Sequence, residues 1–267
     1  MLKNQKEIDK LLQRADELIG AAELKEYLHE LGGIYERLHK RCAPVLYERA
    51  ILLSVGEGDG LLTWLTFLAE YWRLLLDRPD MPEVEYYWLK LPDLMDAKDL
   101  QKTSKRDIVL QTLEEDKVLS CYVRRFICVD ITAWVDIIEG EEFRAVLSRF
   151  KGSMMDQFVI FRIPAVDEVT LRRVREAISW FMNVEVLYQP PYSIEDYVTY
   201  AKRRFKAKDV LLEKEAEKAL FDIIMNERRS RAFCGFKTVR TIVDDLIYRK
   251  LCSEYGDAGS DEQEADA

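Results

Sequence analysis

The residues best placed to do chemistry form a glycine-rich turn between an apolar run at residues 50–55 and a helical stretch at residues 61–76. The turn carries Gly56, Gly58 and Gly60. Glycines in such a turn let the backbone wrap around a phosphate group, and the N-terminus of the following helix offers free N–H groups to an anion. The order of strand, turn and helix is therefore that of a phosphate-binding loop.

The side chains around the last glycine do not supply the chemistry of a phosphate site. A working loop of this type continues with a lysine that reaches the outer phosphates and a hydroxyl residue that holds magnesium. Leu61 and Leu62 stand at these two positions, and Thr63 comes one position too late. Glu57 and Asp59 add negative charge where an anion would have to bind. Taken alone, the turn is better interpreted as an ordinary connection between a strand and a helix.

Strand and helix patterns alternate through the first part of the chain. Short apolar runs typical of strands lie at 50–55, 84–91, 125–131, 157–163 and 184–188. Stretches with helical spacing lie at 5–40, 61–76, 98–118, 139–150 and 168–181. This alternation predicts an α/β fold in which helices flank a parallel sheet.

The alternation ends at Pro190 and Pro191, since neither residue can donate to a sheet ladder. Beyond these prolines the spacing is helical, at 193–205, 212–229 and 238–251. Ser193 and Asp196 have the spacing of a capping box at the start of the first of these helices. We therefore expect an α/β body over 1–191, a helical domain over 192–252 and an acidic tail over 253–267. The tail is small and polar, so it is predicted to be disordered.

Charge and composition argue against several classes of function. The net charge is −9, whereas general binding to nucleic acid needs basic residues that neutralise phosphates. A basic cluster at 202–208 is interpreted as a solvated helix face. Five scattered cysteines and two histidines lack metal-ligand spacing, so we predict reduced, mostly buried thiols and no zinc site. The sequence has no run of about 18 apolar residues and no signal-peptide pattern, so we expect a cytoplasmic protein without membrane contact.

Six further strings, taken with the glycine turn, carry a family resemblance. They read ADELIGAAELKEYLHELGGIYERL at 15–38, WLKLPDLMD at 88–96, FICVDITAW at 126–134, YQPPYSIEDYV at 188–198, LLEKEAEKALFDII at 211–224 and FCGFKTVRTIVDDLI at 233–247. In this order and spacing they resemble the AAA+ ATPase domain of the CbxX/CfqX (rubisco-activase-like) group. The resemblance covers roughly residues 7 to 250. It implies a P-loop NTPase-like body followed by a C-terminal helical lid, in a family that typically forms rings.

The resemblance also implies where a vestigial nucleotide site would lie. Its residues are Ile19, Gly20, Gly56, Gly58, Gly60, Leu61, Leu62, Asp130, Lys237 and Arg240. Asp130 stands at the aspartate of the Walker B strand, and Ile19 with Gly20 lies near the family's adenine. Lys237 aligns with the sensor-2 arginine and Arg240 lies one turn further on, so the charge is kept but the forked geometry of an arginine is lost.

The departures from the family fall on its catalytic residues. Leu61 replaces the Walker A lysine, Leu62 the magnesium-ligating hydroxyl, and Ile131 the Walker B glutamate that activates water. The pore-loop segment at 95–103 has neither glycine nor aromatic residue, and 178–184 has no arginine for a finger. An arginine finger alone contributes about 10³–10⁵ in rate. We therefore predict that the fold is kept, that no residue is catalytic and that ATPase activity is lost.

Three functions remain open on the sequence. The favoured one is a structural or regulatory AAA+-like subunit that needs no cofactor and acts through protein contacts, by self-association or beside active AAA+ homologues. The second is a protein that binds ATP and magnesium with little hydrolysis, with Asp130 at the metal. The third is an enzyme of unrelated chemistry on the same scaffold.

Two predictions concern packing. Leu61 and Leu62 are expected to point inward as the first turn of their helix. The aromatic residues Tyr188, Tyr192, Phe233 and Phe236 are interpreted either as ordinary core or as a lock between body and lid.

Overall fold

The computed structural model describes residues 4–38, 49–76, 84–91, 104–115, 125–153 and 157–261. The chain forms two compact units. The first comprises Met1–Gly56 with Leu61–Pro190, and the second comprises Glu57–Gly60 with Pro191–Ala267. The tip of the glycine turn thus belongs to the helical unit, which a linear boundary at residue 191 does not anticipate.

The first unit is built on a five-stranded sheet. Its strands are β1 (Arg49–Ser54), β2 (Glu85–Trp88), β3 (Arg125–Asp130), β4 (Gln157–Ile163) and β5 (Asn183–Tyr188). They lie in the order β2-β3-β4-β1-β5, and each neighbouring pair is parallel. The predicted parallel α/β sheet is therefore confirmed, although β2 is only half as long as the run at 84–91 suggests.

Helices connect these strands because parallel neighbours need a crossover. Two further helices, α1 (Gln5–Asp16) and α2 (Ala22–Leu38), precede β1, and the connecting helices are α3 (Leu61–Leu75), α4 (Lys105–Glu115), α5 (Glu141–Ser153) and α6 (Glu168–Ser179), with a 3₁₀ turn at Thr132–Ile137. α6 starts at a clear cap, since the Asp167 side chain accepts a hydrogen bond of 2.9 Å from the Thr170 amide. α4 lies within the stretch at 98–118, of which the structure describes only residues 104–115.

Apolar side chains fill both faces of the sheet. Ile51 and Leu53 contribute to the core beside α1, α2 and α3, whereas Ala50 and Leu52 contribute to the core beside α4, α5 and α6. This split follows from the period of two along a strand. Such continuous burial on both faces produces the uninterrupted apolar runs that the sequence shows in β1 and β4.

The second unit has its own helical core. Its helices are α7 (Ile194–Lys206), α8 (Lys214–Glu227) and α9 (Gly235–Asp261). The capping box is confirmed: Ser193 Oγ accepts from the Asp196 amide at 3.1 Å, and the Asp196 carboxylate accepts from the Ser193 amide at 2.9 Å. The Tyr192 and Phe236 rings lie 4.6 Å apart within this core. Tyr192 is a core residue of the helical unit, and Phe233 and Phe236 are partly buried and pack against that core.

The basic cluster on α7 is paired within the same unit. Arg204 binds Asp244 of α9 through two nitrogens at 2.8–3.0 Å, and Lys202 lies 2.6 Å from Glu217 of α8. These two residues link α7 to α8 and α9, whereas Arg203, Lys206 and Lys208 of the same cluster are exposed.

One boundary differs from the sequence-based expectation. α9 continues to Asp261, whereas a disordered tail was predicted from residue 253. Extending an existing helix adds one hydrogen bond for each residue ordered, so a helix can run into polar sequence that would not start one. The last acidic residues of the tail, from 262 onward, lie outside the described part of the chain.

The thiols are less uniformly buried than predicted. Cys128 is buried and Cys234 is half-buried, but Cys252 is exposed on α9. Cys42 and Cys121 lie outside the described residues. Among the described helices, none is long and apolar enough to cross a membrane.

Candidate functional site

The carboxyl ends of β3 and β4 bring an acid and a base together. Asp130 is the last residue of β3, and the parallel register places it beside Arg162 of β4. Both residues are buried in the first unit. Charged residues are almost never fully buried unless they are paired, so this position predicts a direct interaction between the two side chains.

The interaction is a buried ion pair with further hydrogen bonds. Arg162 Nη1 lies 2.8 Å from Asp130 Oδ2 and donates also to Thr132 Oγ1 at 3.0 Å. Its second terminal nitrogen donates to the Val55 carbonyl at 3.0 Å, just after β1. Asp130 accepts in addition from the Thr132 amide at 2.9 Å and from the Tyr86 hydroxyl. The guanidinium thus joins the ends of three strands.

These contacts stabilise the ionised form of Asp130. Burial raises the pKa of its carboxyl, but hydrogen bonds from Thr132 and Tyr86 together with the Arg162 charge outweigh burial and hold the pKa below the ordinary value. Burial and the hydrogen bond to Asp130 raise the pKa of the Tyr86 hydroxyl, which stays protonated. The Asp130 carboxylate is therefore ionised and compensated by a cation of the protein itself.

The turn after β1 begins in this unit and leads into α3. Leu61 is half-buried and packs against the core beside α1, α2 and α3, but Leu62 is 75% exposed. The prediction that both leucines point inward is thus wrong for Leu62. Helical spacing gives the reason: Trp64 and Leu68 take the core-facing side, and Leu62 shares the outer side with Thr66, four residues later.

Ile19 and Gly20 lie at the connection between α1 and α2 in the first unit. Gly20 and Ala21 both have positive φ, at 60° and 54°. The Ala21 amide donates to Gln189 Oε1 at 3.1 Å, and Gln189 is itself buried. This amide already has an acceptor in the protein.

The other predicted site residues belong to the helical unit. Gly58 and Gly60 form the tip of the glycine turn, with φ of 77° and 94°. Lys237 and Arg240 lie on the first turns of α9 and are both exposed. Burial and the charge of Glu57 raise the pKa of the Cys234 thiol. The nearby charge of Lys237 opposes this rise but does not cancel it.

The ten predicted residues thus fall into two groups. Those of the first unit are Ile19, Gly20, Gly56, Leu61, Leu62 and Asp130, and those of the second are Gly58, Gly60, Lys237 and Arg240. No group of acids, histidines and cysteines among the described residues could hold a metal ion. The pore-loop segment at 95–103 lies outside the described residues.

The segment at 178–184 presents a tryptophan in the region where an arginine finger was expected. Trp180 is 86% exposed at the end of α6. With Phe181, Arg144 and Arg173 it lines a cleft of about 400 Å³ in the first unit.

Sequence reasoning missed Arg162, the partner of Asp130. A signal was available, because Arg162 is the only charged residue in the strand QFVIFRI, all of which is buried. A charge inside a buried strand calls for a partner, and the nearest acid in a parallel sheet lies on a neighbouring strand. Tyr86, Tyr197 and Cys234 were also missed, and their roles have no local sequence signal.

Comparison with known proteins gives similarity at the level of structure. No family model matches the chain, and no curated protein matches it. A mutant of RuvB from Thermotoga maritima is 16% identical, covers 88% of this chain and has a TM-score of 0.47. Domain III of the replication initiation protein DnaA from Thermotoga maritima is 15% identical over 83% of this chain, with a TM-score of 0.42. PCH-2 from C. elegans is 12% identical over 91%, with a TM-score of 0.45.

The coverage of these structures is unequal. This chain spans 66% of the RuvB chain and 66% of the PCH-2 chain, but 85% of the DnaA domain. The similar structures are AAA+ ATPases. The identities lie below 25% and the TM-scores below 0.5, so any function has to be argued from the residues of this chain.

Proposed function

We propose that this chain is an AAA+-like protein that does not hydrolyse ATP and that acts as a structural or regulatory subunit through protein contacts. The observation that carries the proposal is the buried ion pair between Asp130 and Arg162. In phosphoryl transfer the acid at this position serves a magnesium ion, which neutralises charge on the phosphates. Here a guanidinium at 2.8 Å already compensates Asp130.

The substitutions in the glycine turn support the same proposal. Leu61 and Leu62 offer neither the cation nor the hydroxyl that a bound nucleotide requires. Leu62 is exposed, so its position has no structural need for a hydrocarbon. Ile131 is buried and cannot activate water.

A role in protein contacts is supported by Trp180. Surface tryptophans are uncommon and are enriched where proteins bind one another. Trp180 is 86% exposed and lines the cleft together with Phe181. If the contact is self-association, sedimentation velocity over a range of concentrations detects an oligomer that Trp180→Glu abolishes. Arg175→Glu, an exposed change on the same helix, is the matched control.

The loss of nucleotide chemistry is tested by turnover and by ligand binding. Saturating MgATP at about 100 times its Kd would stabilise a binding protein by about 2.7 kcal/mol. For a chain of this size that corresponds to a rise in Tm of about 5–10 °C. We expect no rise and no ATPase activity above background. Magnesium-dependent turnover that disappears in Asp130→Ala would refute the proposal, and a rise in Tm without turnover would favour a nucleotide sensor.

A further inference from the structure

The tip of the glycine turn makes an unusually close approach to the start of α9. Gly58 and Cys234 both belong to the helical unit. A Cβ atom added to Gly58 would lie 2.6 Å from the carbonyl carbon of Cys234 and 2.8 Å from its Sγ, and still closer to its carbonyl oxygen. Real Cβ atoms essentially never come closer than about 3 Å to such atoms, so no residue other than glycine fits without movement.

The approach is reciprocal, because Gly235 is confined by the same turn. A Cβ on Gly235 would lie 3.0 Å from the carbonyl carbon of Gly58 and would collide with the Asp59 carboxylate. Gly235 is buried and has a φ of 47°, a left-handed conformation that glycine adopts at little cost. Two glycines thus let two backbone segments pack directly on each other.

Hydrogen-bond acceptors face both glycines, and charges of both signs lie near the contact, since Arg228 acts on Asp59 and Lys237 acts on Cys234. The carbonyl oxygen of Cys234 faces Gly58, and the Asp59 carboxylate faces Gly235. Asp59 accepts from the Tyr197 hydroxyl at 2.9 Å. Burial raises the pKa of the Asp59 carboxyl, while this hydrogen bond and the Arg228 charge oppose the rise. A phosphate group would meet a carbonyl and a carboxylate here.

We propose that the tip of the glycine turn is an internal clasp, in which the Cys234–Gly235 backbone fills the space over Gly58 and closes the turn to phosphate groups. The Cβ side of Gly58 has no room even for a methyl group, so a phosphate, which is larger, cannot occupy that side of the turn while the contact is closed. The inference rests on the proposed function, since a protein that binds nucleotide would have to open this contact.

The clasp is tested by a disulfide between Gly58→Cys and the native Cys234. A Cβ at Gly58 would lie 2.8 Å from Cys234 Sγ, so the two thiols start within reach of an S–S bond of about 2 Å, and the backbone of one segment must move to relieve the contact with the Cys234 carbonyl. Under oxidised glutathione, peptide mapping should show this disulfide forming at least about tenfold faster than any disulfide of Gly152→Cys, because proximity sets the effective concentration. Gly152 is the matched control, since nothing lies within 4 Å of its Cβ position. Equal rates for the two variants would overturn the proposal.

A second measurement does not depend on introducing a side chain at Gly58. Tyr197→Phe removes only the hydroxyl that holds Asp59, and amide exchange of the peptide covering residues 56–60 should become about tenfold faster. Unchanged exchange would overturn the clasp. MgATP added to the Gly58→Cys reaction separates the two proposals. If MgATP stabilises the wild-type protein, the proposed function is wrong. If MgATP lowers the rate of disulfide formation, the turn is open to phosphate groups and the proposal of a clasp is wrong.

Discussion

Replacing Arg162 with methionine should destabilise the first unit severely. The Arg162 and Asp130 side chains are only 10% and 5% exposed, so the carboxylate left behind would be buried without its charge partner. Removing one member of a buried pair costs about 3–5 kcal/mol. The Val55 carbonyl and the Thr132 hydroxyl would also lose a donor. We expect a loss near the upper end of that range, or about 10 °C or more in Tm.

The measurement is urea unfolding, followed by circular dichroism, in a double-mutant cycle with Asp130→Asn. The double variant contains no buried charge at this site, so its loss in free energy of unfolding should be well below the sum of the two single losses. Arg162→Lys should recover part of the loss, because it keeps the charge but not the forked geometry. Arg175→Met, on an exposed face of α6, is the control and should change stability by less than about 0.5 kcal/mol. A loss below about 1 kcal/mol for Arg162→Met, or additive losses in the cycle, would refute the reasoning.

Three further outcomes are expected from burial and charge. Leu62→Thr should change the free energy of unfolding by less than about 0.5 kcal/mol, because Leu62 is 75% exposed, whereas Leu68→Ala in the core should cost about 2–5 kcal/mol in the same urea titration. Asp130→Asn should remove a stabilisation that is present above about pH 4 and is lost as the pH falls through the lowered pKa of the folded state, which stability measurements between pH 2 and 7 detect. Asp59→Asn should have the opposite pH dependence. Because the pKa of the Asp59 carboxyl is raised in the folded state, the wild-type protein loses stability as the pH rises through that pKa, and the variant should be more stable than wild type at pH 8. A larger gain in stability at pH 3 than at pH 8 would contradict the raised pKa of Asp59.

The sequence by itself determined the α/β layout and the helical region. Apolar runs of strand length alternating with helical stretches require a parallel sheet with crossovers, and Ser193 with Asp196 marked the start of α7. These features depend on residues a few positions apart, so periodicity and capping chemistry reveal them. The two leucines that follow Gly60 were equally visible, because they are a matter of residue type at fixed spacing.

Only the tertiary structure decided which residues contact Asp130 and the glycine turn. Arg162 meets Asp130 across 32 residues because β3 and β4 are adjacent in the sheet, and no local pattern encodes strand order. The tip of the glycine turn packs on Cys234 and Gly235, which lie far along the chain. Gly58 and Gly235 are therefore explained by a close approach of two backbone segments, which the spacing of residues in the sequence cannot show. Leu62 is exposed because α3 directs Trp64 and Leu68 toward the core. Which side chains of the first helical turn face inward depends on how the whole helix packs against the core.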